Sequence, residues 1–111
     1  MSDRTLTARQ IMERLPGAFQ PAQAEGINAV VQWLLGGEGG GEWYLTIADG
    51  ACRVAEGRAA DPKVTITMDA GDYVDLTTGK LDAIKAFMTG KIRLSGDFAL
   101  ATRLISFFRT P

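Results

Sequence analysis

Histidine is absent from the 111 residues, and cysteine occurs once. The first absence removes the commonest general base and the commonest metal ligand together. The second excludes an internal disulfide framework, and no His–Cys couple can activate Cys52 as a nucleophile. Cys52 lies between Gly50-Ala51 and Arg53-Val54, a turn running into a strand. A free thiol there is expected to be a small buried apolar residue. Neither sign of charge is in surplus: 12 Lys and Arg stand against 13 Asp and Glu, a net of −1. No nucleic-acid partner is expected, since such a footprint shows clustered excess Lys and Arg. No apolar run approaches the roughly 20 residues of a membrane span, so membrane contact would be transient at most. The opening MSDRTLTARQ is polar, without the apolar stretch of a signal peptide. The closing Arg109-Thr110-Pro111 matches no receptor-read address. The expected location is cytoplasmic.

What the chain does have is a surplus of apolar surface near its end. Its length suits one domain, residues 1–111, with 46% hydrophobic and 23% charged residues, ordinary for a globular protein. A closing helix is expected from about Asp97 to Arg109. At about 100° per residue, Phe98, Leu100, Ala101, Leu104, Ile105, Phe107 and Phe108 fill one continuous half of it. Thr102, Arg103, Ser106 and Arg109 fill most of the other half, with Ala99 among them. A helix docks on a core with a stripe little wider than about 100°. The excess points to a bound apolar molecule or to a partner.

Upstream, Thr7 caps a first helix with Ile11, Met12 and Leu15 on one face, and Pro16-Gly17 is expected to stop it. Phe19 anchors the next turn, and 21–26 is a loop or a single helical turn. Ile27–Leu35 reads as a strand carrying Ala29, Val31, Trp33 and Leu35 on one side. The glycine-rich stretch 36–41 is a hairpin connection. It is followed by a strand, so it is not a dinucleotide-binding GxGxxG loop. Glu42–Asp49 alternates again, Asp49-Gly50 is a tight turn, and Cys52–Glu56 is the third strand. Val64, Ile66 and Met68 mark a fourth. Asp69 then caps a helix with Tyr73, Val74 and Leu76, ending at Gly79. Asp82 caps another with Ile84, Phe87 and Met88, ending at Gly90. Ile92 and Leu94 mark a short fifth strand. This order predicts an α+β fold: a five-stranded, mostly antiparallel sheet covered on one face by helices.

The echo Thr78-Gly79-Lys80-Leu81 and Thr89-Gly90-Lys91-Ile92 lacks the P-loop spacing. A left-handed glycine closing a helix explains both copies, with lysine complementing the negative helix end. Lys80, Lys85 and Lys91 could also place charge near an opening. The carboxylates Asp61, Asp69, Asp72, Asp75 and Asp82 are scattered; two read as caps and Asp72 and Asp75 as the wet side of their helix. Trp33 and Trp43 read as core. With Leu45, Met68, Phe87, Met88 and the closing helix they make an aromatic, methionine-rich inner set, adaptable enough to surround a variable ligand.

The segment 79–108, GKLDAIKAFMTGKIRLSGDFALATRLISFF, resembles the lipid-binding domain of the sterol carrier protein 2 family. WYLTIADG (43–50), VTITMD (64–69) and LPGAF (15–19) resemble that family's earlier strands and early turn, so the likeness runs through nearly the whole chain. It implies an apolar tunnel between sheet and C-terminal helices. Such a tunnel holds fatty acids, fatty acyl-CoA, sterols or phospholipids, and the activity is binding and transfer without catalysis or cofactor. By position, the lining would include Trp43, Leu45, Val74, Phe87, Met88, Ile92, Leu94, Leu100, Leu104 and Phe108. Some members meet the ligand's polar head with a glutamine in the closing helix. Residues 97–111 contain none, and Ile105 or a neighbour stands there. The peroxisomal C-terminal tripeptide of animal members is also missing, as in a bacterial, cytoplasmic, stand-alone version. The rival expectation is an interaction module, such as a homodimer formed through the closing helix.

Overall fold

Five alternating segments form strands in the computed structural model, which describes residues 7–107. They are β1 (Ala29–Gly36), β2 (Gly41–Ala48), β3 (Ala51–Glu56), β4 (Val64–Asp69) and β5 (Ile92–Gly96). They pair in the order β3-β2-β1-β4-β5. Every neighbouring pair is antiparallel except β1 with β4, which run parallel. Asp49 and Gly50, with φ of 53° and 74°, form the tight turn between β2 and β3. Two successive positive φ values match the right-handed twist of the strands they join.

Four helices cover the face that carries Val31, Trp33, Leu45, Val64 and Ile66, all buried. The first, α1 (Ala8–Ala18), begins with a capping box in which Thr7 Oγ1 accepts from Gln10 N–H and Gln10 Oε1 accepts from Thr7 N–H. Pro16 does not stop it. The proline sits in the last turn, where its missing N–H removes a single helical bond, and the helix continues to Ala18. A 3-10 turn at Pro21–Ala24 follows.

The remaining helices are α2 (Ala70–Thr77), α3 (Ala83–Met88) and α4 (Phe98–Phe107). Asp69 caps α2, Asp82 caps α3, and Asp97 Oδ1 accepts from Leu100 N–H at the start of α4. The repeated Thr-Gly-Lys is one motif used twice. Gly79 (φ 86°) and Gly90 (φ 84°) turn left-handed, and the N–H groups of Lys80 and Lys91 donate to the carbonyls of Asp75 and Ala86 at 2.8 Å. Each is a Schellman closure of a helix end.

On the opposite sheet face the buried side chain of Gln32 joins three segments. Its amide nitrogen donates to the carbonyls of Trp33, Trp43 and Gly57, and its oxygen accepts from Ala59 N–H at 2.7 Å. Gln32→Ala would leave these groups under-satisfied, at a cost of about 1–3 kcal/mol. Urea unfolding should show that loss; an unchanged midpoint would contradict this account of the residue.

Candidate functional site

Strand register sets one row of side chains across the inner face: Leu94, Ile66, Trp33, Trp43 and Glu56, from β5 to β3. α1 seats on the β3 end of that row. The Arg9 guanidinium pairs with Glu56 at 2.9 Å and lies 5.7 Å over the Trp43 ring. The β5 end of the row is arranged differently. There Trp33, Ile66, Met68, Ile92 and Leu94 face a cavity of about 770 Å³, within the roughly 300–1,000 Å³ of small-molecule pockets.

Each helix supplies one wall. α1 contributes Ile11, Arg14, Leu15 and Ala18; α2 and its end contribute Tyr73, Leu76, Thr77 and Thr78. Leu81, Ala83, Ile84 and Phe87 come from α3 and its approach, and Phe98, Ala101, Thr102 and Leu104 from α4. The Phe87 and Phe98 rings meet edge to face, 6.5 Å apart, and both remain about half exposed at the rim.

Among the described residues the lining holds no carboxylate, thiol or amine. Its polar groups are Arg14, Tyr73 and three threonines. The threonine hydroxyls donate back to helix carbonyls: Thr77 to Tyr73 and Val74, Thr78 to Val74 and Asp75, and Thr102 to Ala99. The Tyr73 hydroxyl lies 3.6 Å from Met12 Sδ, its ring packs on Trp33, and burial raises its pKa. Arg14 is exposed and forms no ion pair among the described residues. Among the described residues it is the one charged group lining the cavity.

Phe87, Ile92, Leu94 and Leu104 line the cavity. Trp43 and Leu45 do not: both are buried on β2, where α1 covers the sheet. Val74 and Leu100 also stay off the wall, half-buried and buried respectively, and Met88 points to solvent. Phe108 lies outside the described residues. Sequence reasoning missed Arg14 and most of α2 and the α3 approach. Arg14 is three residues beyond Ile11, so the spacing that identified the apolar face of α1 also placed an arginine at its edge.

Among the described residues no group of His, Cys, Asp or Glu could hold a metal ion, and no helix is long and apolar enough to cross a membrane. A family model described as the SCP-2 sterol transfer family matches residues 9–109. The chain belongs to that family. Lipid binding or transfer is its general business, and its members are generally non-catalytic.

Among curated proteins, the chain is 37% identical over 78 residues to hydroxysteroid dehydrogenase-like protein 2 of Xenopus tropicalis, covering 69% of this chain and 19% of the relative. It thus spans about a fifth of that longer protein. Among solved structures, the palmitated SCP2L2 of Aedes aegypti is 29% identical with a TM-score of 0.73, covering 89% of this chain and 91% of that one. The sec-alkylsulfatase Pisa1 from Pseudomonas sp. carries the same fold at 19% identity and a TM-score of 0.83, over 97% of this chain and 17% of its own.

Cys52 sits on β3, away from the cavity, and burial pushes its thiol up to about 12. Because the folded value exceeds the unfolded one, near 8.5, the stability linked to this group is complete below pH ~8.5 and is lost toward pH 12. Native protein at pH 8 should react with a disulfide reagent far more slowly than urea-unfolded protein. Cys52→Ala should flatten the alkaline loss of stability. Equal native and unfolded rates would contradict a protected thiol.

Proposed function

We propose that the described residues act as a single lipid-binding and transfer domain, with a hydrocarbon tail in the cavity and an acidic head near Arg14. The observation that carries this reading is the cavity itself: space of ligand size, walled almost wholly by hydrocarbon, over an otherwise well-covered sheet. Burying about ten methylenes at roughly 0.8 kcal/mol each provides about 8 kcal/mol. That corresponds to roughly micromolar affinity before association costs. Polar contacts then select among ligands without supplying most of the binding.

Arg14 favours fatty acids and fatty acyl-CoA over uncharged sterols. The palmitated state of the Aedes aegypti relative is in keeping with this choice. With no carboxylate, thiol or amine among the described lining residues, the domain binds and releases its cargo unchanged. The rival use of α4 as a protein interface has less to work with, because Leu100, Leu104 and Phe107 are already buried within the chain.

Titration with a fluorescent fatty acid should give saturable binding near the micromolar range. Ala101→Trp, which puts an indole into the cavity from α4, should weaken binding at least tenfold while leaving thermal unfolding nearly unchanged. Arg14→Ala should weaken a fatty acid about two- to fivefold, as expected of an exposed ion pair, and leave the matching fatty alcohol unaffected. Absence of binding below millimolar, or indifference to Ala101→Trp, would refute the reading.

A further inference from the structure

Two polar groups on the inner wall of the cavity lack good partners. Trp33 and Tyr73 both line it, and they are only 6% and 3% exposed. Their rings meet edge to face with centroids 6.4 Å apart, so α2 sets a phenol against an indole of β1. The Trp33 indole N–H donates to no group among the described residues. It is not sealed in either, since no buried side-chain nitrogen or oxygen among those residues is left without a partner. The open space that Trp33 borders is the cavity.

The Tyr73 hydroxyl has a single partner among the described residues, the Met12 thioether at 3.6 Å. A thioether is a weak acceptor, and the lone pairs of the hydroxyl oxygen accept from nothing. Burial raises the phenol's pKa, so it stays a donor at neutral pH. The rest of the wall differs. Its three threonine hydroxyls donate back to helix carbonyls, and Arg14 is exposed. On the other sheet face, the buried Gln32 amide is hydrogen-bonded through both its nitrogen and its oxygen. Buried polar groups are normally satisfied in this way. Two neighbouring donors left over on a hydrocarbon wall are an exception that a ligand oxygen would remove.

We infer that Trp33 and Tyr73 form an internal oxygen-binding site, and that the cargo is an acyl chain with a hydroxyl or keto group part-way along it. The site rests on the lipid-binding function proposed above and names which lipid the cavity takes. One neutral oxygen accepts from the indole N–H and from the phenol, which gives up only a thioether contact. A plain tail expels water and leaves the indole N–H with no acceptor, a loss the oxygenated chain avoids. The acid group does not belong at this site, because burying a carboxylate beside two neutral donors costs far more than leaving it at Arg14. A sterol hydroxyl offers the same oxygen but brings no acid for Arg14.

Displacement of the fluorescent fatty acid by stearate, and by stearates with one hydroxyl or keto group at successive mid-chain carbons, tests this. For at least one position the oxygenated acid should compete at least as well as stearate. Tyr73→Phe should lower its preference over stearate about three- to tenfold, the worth of one neutral hydrogen bond. In ¹⁵N-labelled wild-type protein the Trp33 indole N–H signal should move downfield with that acid and not with stearate. Trp43, off the cavity, is the internal control. A preference untouched by Tyr73→Phe, or a Trp33 signal that responds alike to both acids, would overturn the inference and leave lipid binding standing. A Tyr73-dependent gain shown by a sterol and by none of the acids would overturn the assignment to an acyl chain. No displacement by stearate or any of its derivatives would instead remove the lipid-binding function, and this site with it.

Discussion

Helices too short to fill the apolar face of the sheet are the constraint behind the cavity. At about 1.5 Å per residue, α2 and α3 reach only about 12 and 9 Å, whereas an eight-residue strand such as β1 extends about 27 Å. Short helices cannot rely on long interdigitated seams, and here they are held by their ends. Asp69, Asp82 and Asp97 cap the starts, and Gly79 and Gly90 close two of the ends. The Phe107 carbonyl accepts from Gln20 N–H at 2.7 Å, tying the far end of α4 to the chain beyond α1. A roof fixed at its corners leaves space beneath it toward β4 and β5.

The same sheet is treated differently at its two ends. Over β2 and β3 the long α1 lies against Trp43, with Arg9 bridging to Glu56, and the layers close. Over β4 and β5 the layers stay apart, and Ile66, Ile92 and Leu94 border open space. Dense packing at one end therefore supports a void at the other. A family devoted to lipid binding or transfer needs this division, because a uniformly packed core has no room for cargo and an open sheet would not stay folded. The occurrence of the fold within a longer chain, as in the sec-alkylsulfatase Pisa1, fits a unit whose stability is local.

Much of the fold was legible because β2 and β4 alternate cleanly and the helices carry their own punctuation. Asp49-Gly50, Asp69, Asp82, Gly79 and Gly90 all do what their residue types favour. Pro16 was the local exception, since a proline in a last turn costs too little to end a helix that already buries Ile11, Met12 and Leu15. The cavity was harder to place. Alternation shows which face of β2 is buried, not which helix buries it, so Trp43 and Leu45 were indistinguishable from Trp33 and Ile66. Met88 is as apolar as Phe87, but one step around α3 separates the cavity wall from solvent. Arg14 was passed over because a charged residue beside an apolar stripe is ordinary until the space it borders is known.

The central claim is that a hydrocarbon chain occupies the space above β4 and β5. Its most direct test is isotope-filtered NMR of the protein bound to a ¹³C-labelled fatty acid. The account predicts contacts from the labelled chain to the methyl groups of Ile66, Leu94 and Leu104. Contacts confined to Met88 and other side chains on the outer surface, with the interior methyls silent, would contradict it.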